Sequence, residues 1–195
     1  MKDIEILEIK KTELLEQISQ ETKLKDLLFE TGKTLENAIN LGLKILGYSA
    51  ENYNDGVLEL DHVIVSPEGD RFLGEAEGKD TSAINIDKLR QLLVNIHEDV
   101  QRDEVESPAL GILFGNGFRL TEPSHREEQF TTKCLSTAKS SNCILIKTTD
   151  LFRVAKYVKE SNDQTFAKSC RDSIKLGMGK IVQFPDLPPA RDASE

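Results

Sequence analysis

Apolar residues recur along this chain with two periods, and each change of period marks a new element. Over residues 2–28, Ile4, Leu7, Leu14, Leu15, Ile18, Leu24, Leu27 and Leu28 stand among many Lys and Glu. That spacing predicts one broken helix or two, with a heptad too irregular to specify a coiled coil. A second helix is expected from Thr34 to about Leu46, with Leu35, Ile39, Leu43 and Leu46 on its apolar stripe. Thr31 or Thr34 is its candidate cap and Gly47 its stop. Tyr48 then opens a connector that ends near Asp55-Gly56. Strand-like runs follow at about 57–65 and 71–79, joined through the turn residues Ser66-Pro67-Glu68-Gly69-Asp70.

Farther along, 86–100 reads as a helix with Leu89, Leu92, Leu93 and Ile96 inward. Residues 109–114 are nearly continuously apolar, as a buried parallel strand would be. A loop with Gly115 and Gly117 leads to an expected helix at about 124–138. A short strand at 143–146 and helices at 149–159 and about 163–175 follow. Residues 181–195 read as loop or edge material with a disordered end. The order predicts an α/β domain of three layers around a mixed central sheet. It divides into an N-terminal helical arm (1–30), an α/β core (31–160) and a C-terminal helix with a Pro- and Gly-containing tail (161–195).

Composition narrows the partners. The chain has 195 residues, enough for one substantial core, and a formal net charge of -9. Such a charge argues against nucleic-acid binding by overall field, and leaves it to local basic segments or to a metal that neutralises an acidic site. Lys147, Arg153, Lys156 and Lys159 form one such strip. Cys134, Cys143 and Cys170 lack ligand-like spacing and read as reduced thiols. No secretory signal pattern opens the sequence and no apolar run approaches a membrane span, so a cytoplasmic protein without membrane association is expected.

The candidate chemistry sits on the two hairpin strands. Asp61 interrupts the apolar run around Leu60, Val63, Ile64 and Val65, and Glu75, Glu77 and Lys79 alternate on the returning strand. Alternate strand positions share a face, so these three charges point one way and the hairpin brings them toward Asp61. A solvated hairpin accounts for the pattern as well as a site does. In a core-facing setting, however, carboxylates held together need a partner, and a hard divalent cation such as magnesium or manganese resolves their repulsion through oxygen ligands. His62 faces the other way, as a structural histidine satisfied by a partner. His97 and His125 have no zinc-like spacing. Arg126 could contact a phosphate, but the adjoining Glu127 and Glu128 favour the solvated start of a helix. Gly115-Asn116-Gly117 is either a substrate-facing loop or a tight turn.

In this order, the elements resemble the PD-(D/E)xK nuclease superfamily, the restriction-endonuclease-like fold, in its Mrr-like and resolvase-like branches. The resemblance covers about residues 30–150. It implies that Asp61 is the first acidic ligand, although Leu60 stands where the family has Pro, and that Glu36 is the auxiliary helical acid. Gln91 in KLRQLL matches a glutamine of the next helix. Two registers fit the second motif. In one, Glu75 is the metal ligand and Glu77 replaces the family lysine; in the other, Glu77 is the ligand and Lys79 the lysine. The carbonyl of residue 76 or 78 would complete the respective set.

The resemblance therefore implies metal ligands among Asp61, Glu75 and Glu77, with catalytic roles for Glu36, Asp61, Glu75, Glu77, Lys79 and Gln91. Mg2+ is the implied cofactor, with Mn2+ as substitute, and DNA the implied partner. The implied activity is that of a magnesium-dependent DNA endonuclease, in restriction or antiviral defence. The rival expectations are a catalytically weak or inactive nuclease-fold protein for binding and assembly, and an RNA nuclease. A homodimer or larger complex would form through the N-terminal helices.

Overall fold

A computed structural model describes residues 2–56, 58–105 and 107–189. Its element order is α1 (Lys2–Phe29), α2 (Gly32–Ile45), β1 (Ser49–Asn54), β2 (Glu59–Val65), β3 (Arg71–Gly78), α3 (Asp87–Asp99), β4 (Leu110–Asn116), α4 (Thr132–Ser141), β5 (Ile144–Lys147), α5 (Thr148–Ser161) and α6 (Gln164–Lys175). The strands form one five-stranded sheet in the order β1-β2-β3-β4-β5. The first three strands pair antiparallel, whereas β3, β4 and β5 pair parallel. Tight turns suffice for the antiparallel pairs, and α3 and α4 supply the crossovers that parallel pairs require.

Strand alternation splits the core into two layers. Phe72, Ile112, Phe114, Ile144 and Ile146 pack with α1, α2, α5 and α6, while Leu73, Leu113 and Leu145 face α3 and α4. The three-layer α/β architecture with a mixed sheet is therefore present. Among the described residues, no helix is long and apolar enough to cross a membrane.

Four details depart from the sequence reading. Residues 2–29 form a single helix, with Leu24 and Leu27 buried against the domain and Ile4, Leu7, Leu14, Leu15 and Ile18 exposed. The expected connector after Tyr48 contains edge strand β1, whose polar sequence SAENYN buries only Ala50 and depends on pairing with β2. Strand β4 extends through Gly115 and Asn116, so these residues are strand rather than loop. The helix expected at 124–138 is a 3-10 turn at Pro123–His125, an extended stretch, and then α4 from Thr132. Tertiary bonds hold that stretch extended: Ile84 N–H donates to Gln129 O at 2.8 Å, and Thr131 N–H donates to Ile84 O at 3.0 Å. Val57, the start of the first strand of the expected hairpin, and the expected disorder of residues 190–195 lie outside the described residues.

Gly115 owes its identity to packing. A Cβ there would lie 2.6 Å from Phe130 Cζ and 3.0 Å from Ile84 Cγ1, both in buried side chains. Gly115→Ala is expected to destabilise the fold by about 1–3 kcal/mol through overpacking, measurable by urea denaturation. An unchanged midpoint would mean that Phe130 has room to move.

Candidate functional site

The ladder between β2 and β3 runs from Val65–Arg71 to His62–Gly74. At the next position Asp61 stands beside β3, and its carboxylate Oδ2 accepts from Ala76 N–H at 3.1 Å. A side-chain acceptor thus takes a backbone donor at the point where the ladder ends, which fixes the Asp61 carboxylate against β3.

Glu75 lies on the same, α3-facing side and is 1% exposed. Its Oε2 accepts from Lys88 Nζ at 3.0 Å and its Oε1 from Asn95 Nδ2 at 2.7 Å. Lys88 Nζ also lies 3.8 Å from Asp61 Oδ2, so one ammonium serves two carboxylates. Burial and the Asp61 charge push Glu75 up to about 8, against the opposing pull of Lys88. Burial draws Lys88 downward, but the carboxylates around it, Glu75 foremost, outweigh that and leave it above its ordinary value. Asp61 and Glu75 thus share one ammonium.

Glu77 and Lys79 form a separate, outer pair, with Lys79 Nζ 2.7 Å from Glu77 Oε1. The two acids of the Glu75-x-Glu77 motif therefore share a face, yet each has its own lysine. Gln91 is exposed on α3; Lys88 and Asn95, one helical face over, are the residues that reach Glu75.

Glu36 sits on α2. Its Oε2 accepts from Lys33 Nζ and from Asn52 Nδ2, both at 3.0 Å. Asn52 also donates to the carbonyl of Asp61, which ties Glu36 to the Asp61 backbone through one amide. Asn40 donates to Asn52 Oδ1 at 3.2 Å, so its own oxygen faces His62 Nδ1 at 2.8 Å. That network makes Nδ1 the protonated nitrogen of a neutral imidazole. Burial pushes His62 down to about 4, and its buried Nε2, beside the Phe114 ring, has no hydrogen-bond partner among the described residues. His62 does face away from Asp61, as expected, but only one of its nitrogens is satisfied.

The basic strip is placed elsewhere. Lys147, Arg153, Lys156 and Lys159 belong to the end of β5 and to α5, in the layer opposite α3. Lys147 pairs with Asp150, Lys156 with Glu160, and Arg153 donates to Pro185 O. Arg126 is structural and not a solvated helix start: it donates to the carbonyls of Leu28, Arg119 and Thr121 and to Asn116 Oδ1. Cys134, Cys143 and Cys170 are free and buried, and burial raises all three thiols.

Sequence reading missed Lys88, Asn95 and Asn52. A signal existed for Asn95 and Asp99, which share the inward stripe of α3 with Leu92. Polar residues at core-facing helix positions need partners. Asn95 finds Glu75, while Asp99 finds Arg71 at 2.6 Å and Arg102 at 3.2 Å.

The donor chemistry fits a hard divalent cation, because Asp61 and Glu75 bring two carboxylates together with a single positive charge between them. Their present packing nevertheless gives that place to Lys88. Among the described residues, no group of three or more His, Cys, Asp or Glu side chains is gathered for a metal.

No protein-family model and no curated protein matches the chain. A solved structure of the restriction endonuclease FokI is similar in fold, with a TM-score of 0.54 and 11% sequence identity over 83% of this chain. The chain spans 30% of the FokI chain. The core is thus of the restriction-endonuclease-like, three-layer type.

Proposed function

We propose that this chain is a nuclease-fold module for nucleic-acid binding or assembly, with weak catalytic capacity or none in the arrangement held by Lys88. The observation that carries this reading is the bridging ammonium, 3.0 Å from Glu75 and 3.8 Å from Asp61. Each acid that would hold a metal already has a protein cation, and Asn95 takes the second oxygen of Glu75. Asp61 and Glu75 remain the residues that would hold a divalent ion, with Glu77 on the same face.

A second reading, a magnesium-dependent DNA endonuclease, is favoured by the same two carboxylates. They converge at the ladder end of a restriction-endonuclease-like core, where burial and the neighbouring Asp61 charge push Glu75 upward. When bound, a divalent cation would supply charge neutralisation at the scissile phosphate and activation of a water. This chain's residues would position that chemistry. Ala76 N–H holds Asp61, Asn95 orients Glu75, and the Asn52 amide links Glu36 to the Asp61 backbone.

The deciding experiment incubates the protein with linear, nicked, branched and single-stranded DNA and matching RNA, with Mg2+, Mn2+ or EDTA. The expected result is retention of nucleic acid with cleavage that is slow or absent. Fast metal-dependent cleavage, lost in both Asp61→Ala and Glu75→Ala, would replace the first reading with the second. Its preference between DNA and RNA would then name the substrate. Neither retention nor cleavage of any nucleic acid would end both nucleic-acid readings and leave assembly.

A further inference from the structure

Lys88 enters the site from the start of α3, whereas the two acids it bridges sit on neighbouring strands. Its side chain is 27% exposed, and four rotatable carbons let the ammonium swing into solvent. The acids lack that freedom. Asp61 is pinned by Ala76 N–H and Glu75 by Asn95, at 3.1 and 2.7 Å. The carboxylates are therefore fixed while the cation between them is exchangeable. A single ammonium, 3.0 Å from Glu75 and 3.8 Å from Asp61, is shared by both acids. The nearby Lys79 is engaged by Glu77 at 2.7 Å.

We infer that Lys88 is the resident cation of the Asp61–Glu75 pair, holding the place of a divalent ion, so that removing its charge creates a divalent-cation site. The inference rests on the proposed reading of this site and assigns its regulation: access of a metal to the carboxylates is set by the side chain of one helical lysine. Lys88 is a positioning residue in this role, acting on the two acids.

The test is direct Mn2+ binding, followed by the electron paramagnetic resonance of free Mn2+, on the whole chain and on Lys88→Met. Lys88→Met is expected to bind Mn2+ at least about ten-fold more tightly than the unaltered chain, because two fixed carboxylates are left without their cation. Lys88→Arg, which keeps the charge, is expected to show no gain, and Lys88→Met/Asp61→Asn to lose it. Should Lys88→Met fail to fold, Lys88→Cys carries the same readout. Unmodified, it is expected to bind Mn2+ through the two carboxylates, and aminoethylation, which restores an ammonium, to remove that binding. Equal Mn2+ affinity in the unaltered chain and the charge-removing variants would overturn the inference. So would tighter binding that survives Asp61→Asn. Gain of Mn2+ binding without any handling of nucleic acid would sink the function proposed above and leave this inference standing.

Discussion

Glu75→Gln is expected to stabilise the protein above about pH 8 by on the order of 3 kcal/mol, and to change its stability little near pH 5. Glu75 is held at about 8 in the fold, against an ordinary value of 4.5. Burial is the larger cause and the Asp61 charge the next. The folded protein therefore keeps a proton that the unfolded chain releases. The stability this contributes is fully present below about pH 4.5 and is lost progressively as pH rises through 8. A glutamine has no proton to lose, so the slope should flatten while the Asn95 bond survives. Urea denaturation at a series of pH values measures it. A parallel pair of stability–pH curves would mean that Lys88 already compensates the Glu75 charge in full.

Arg126→Met is expected to cost about 3 kcal/mol or more, through loss of several charge-assisted hydrogen bonds made by one partly buried guanidinium. The guanidinium ties Leu28 O, at the end of α1, to Arg119 O, Thr121 O and Asn116 Oδ1. Arg119 and Asn116 donate in turn to Phe29 O and Glu30 O. The last carbonyls of a helix lack intrahelical partners, and here the end of β4 and the loop after it supply them. The loss should therefore concentrate at α1. Amide hydrogen exchange is expected to quicken at residues 24–30 before it does in the sheet. Uniform quickening would show that Arg126 supports the core as a whole and not the docking of α1.

The elements with a clear period were legible in the sequence. The stripe of α2 and the Gly47 stop follow from spacing and from a glycine at φ +94°. The hairpin follows from Pro67 and from Gly69 at φ +90°. The apolar run of β4 announced a strand buried on both faces. What failed was whatever depended on distant bonds. Strand β1 is too polar to declare itself, and residues 126–131 look helical until Ile84 pairs with them.

The candidate site divides along the same line. Alternation alone placed Glu75 and Glu77 on one face, and the hairpin brought Asp61 to them; both follow from the fixed geometry of a strand. Only the tertiary structure decided which lysine serves which acid. Lys79 is two residues from Glu77 and pairs with it, whereas Lys88 reaches Glu75 and Asp61 only because the α3 crossover lays its first turn over β3. Local periodicity records which face a side chain takes. The partner across that face is set by packing between elements far apart in the chain, and for this protein that packing put an ammonium between the two carboxylates.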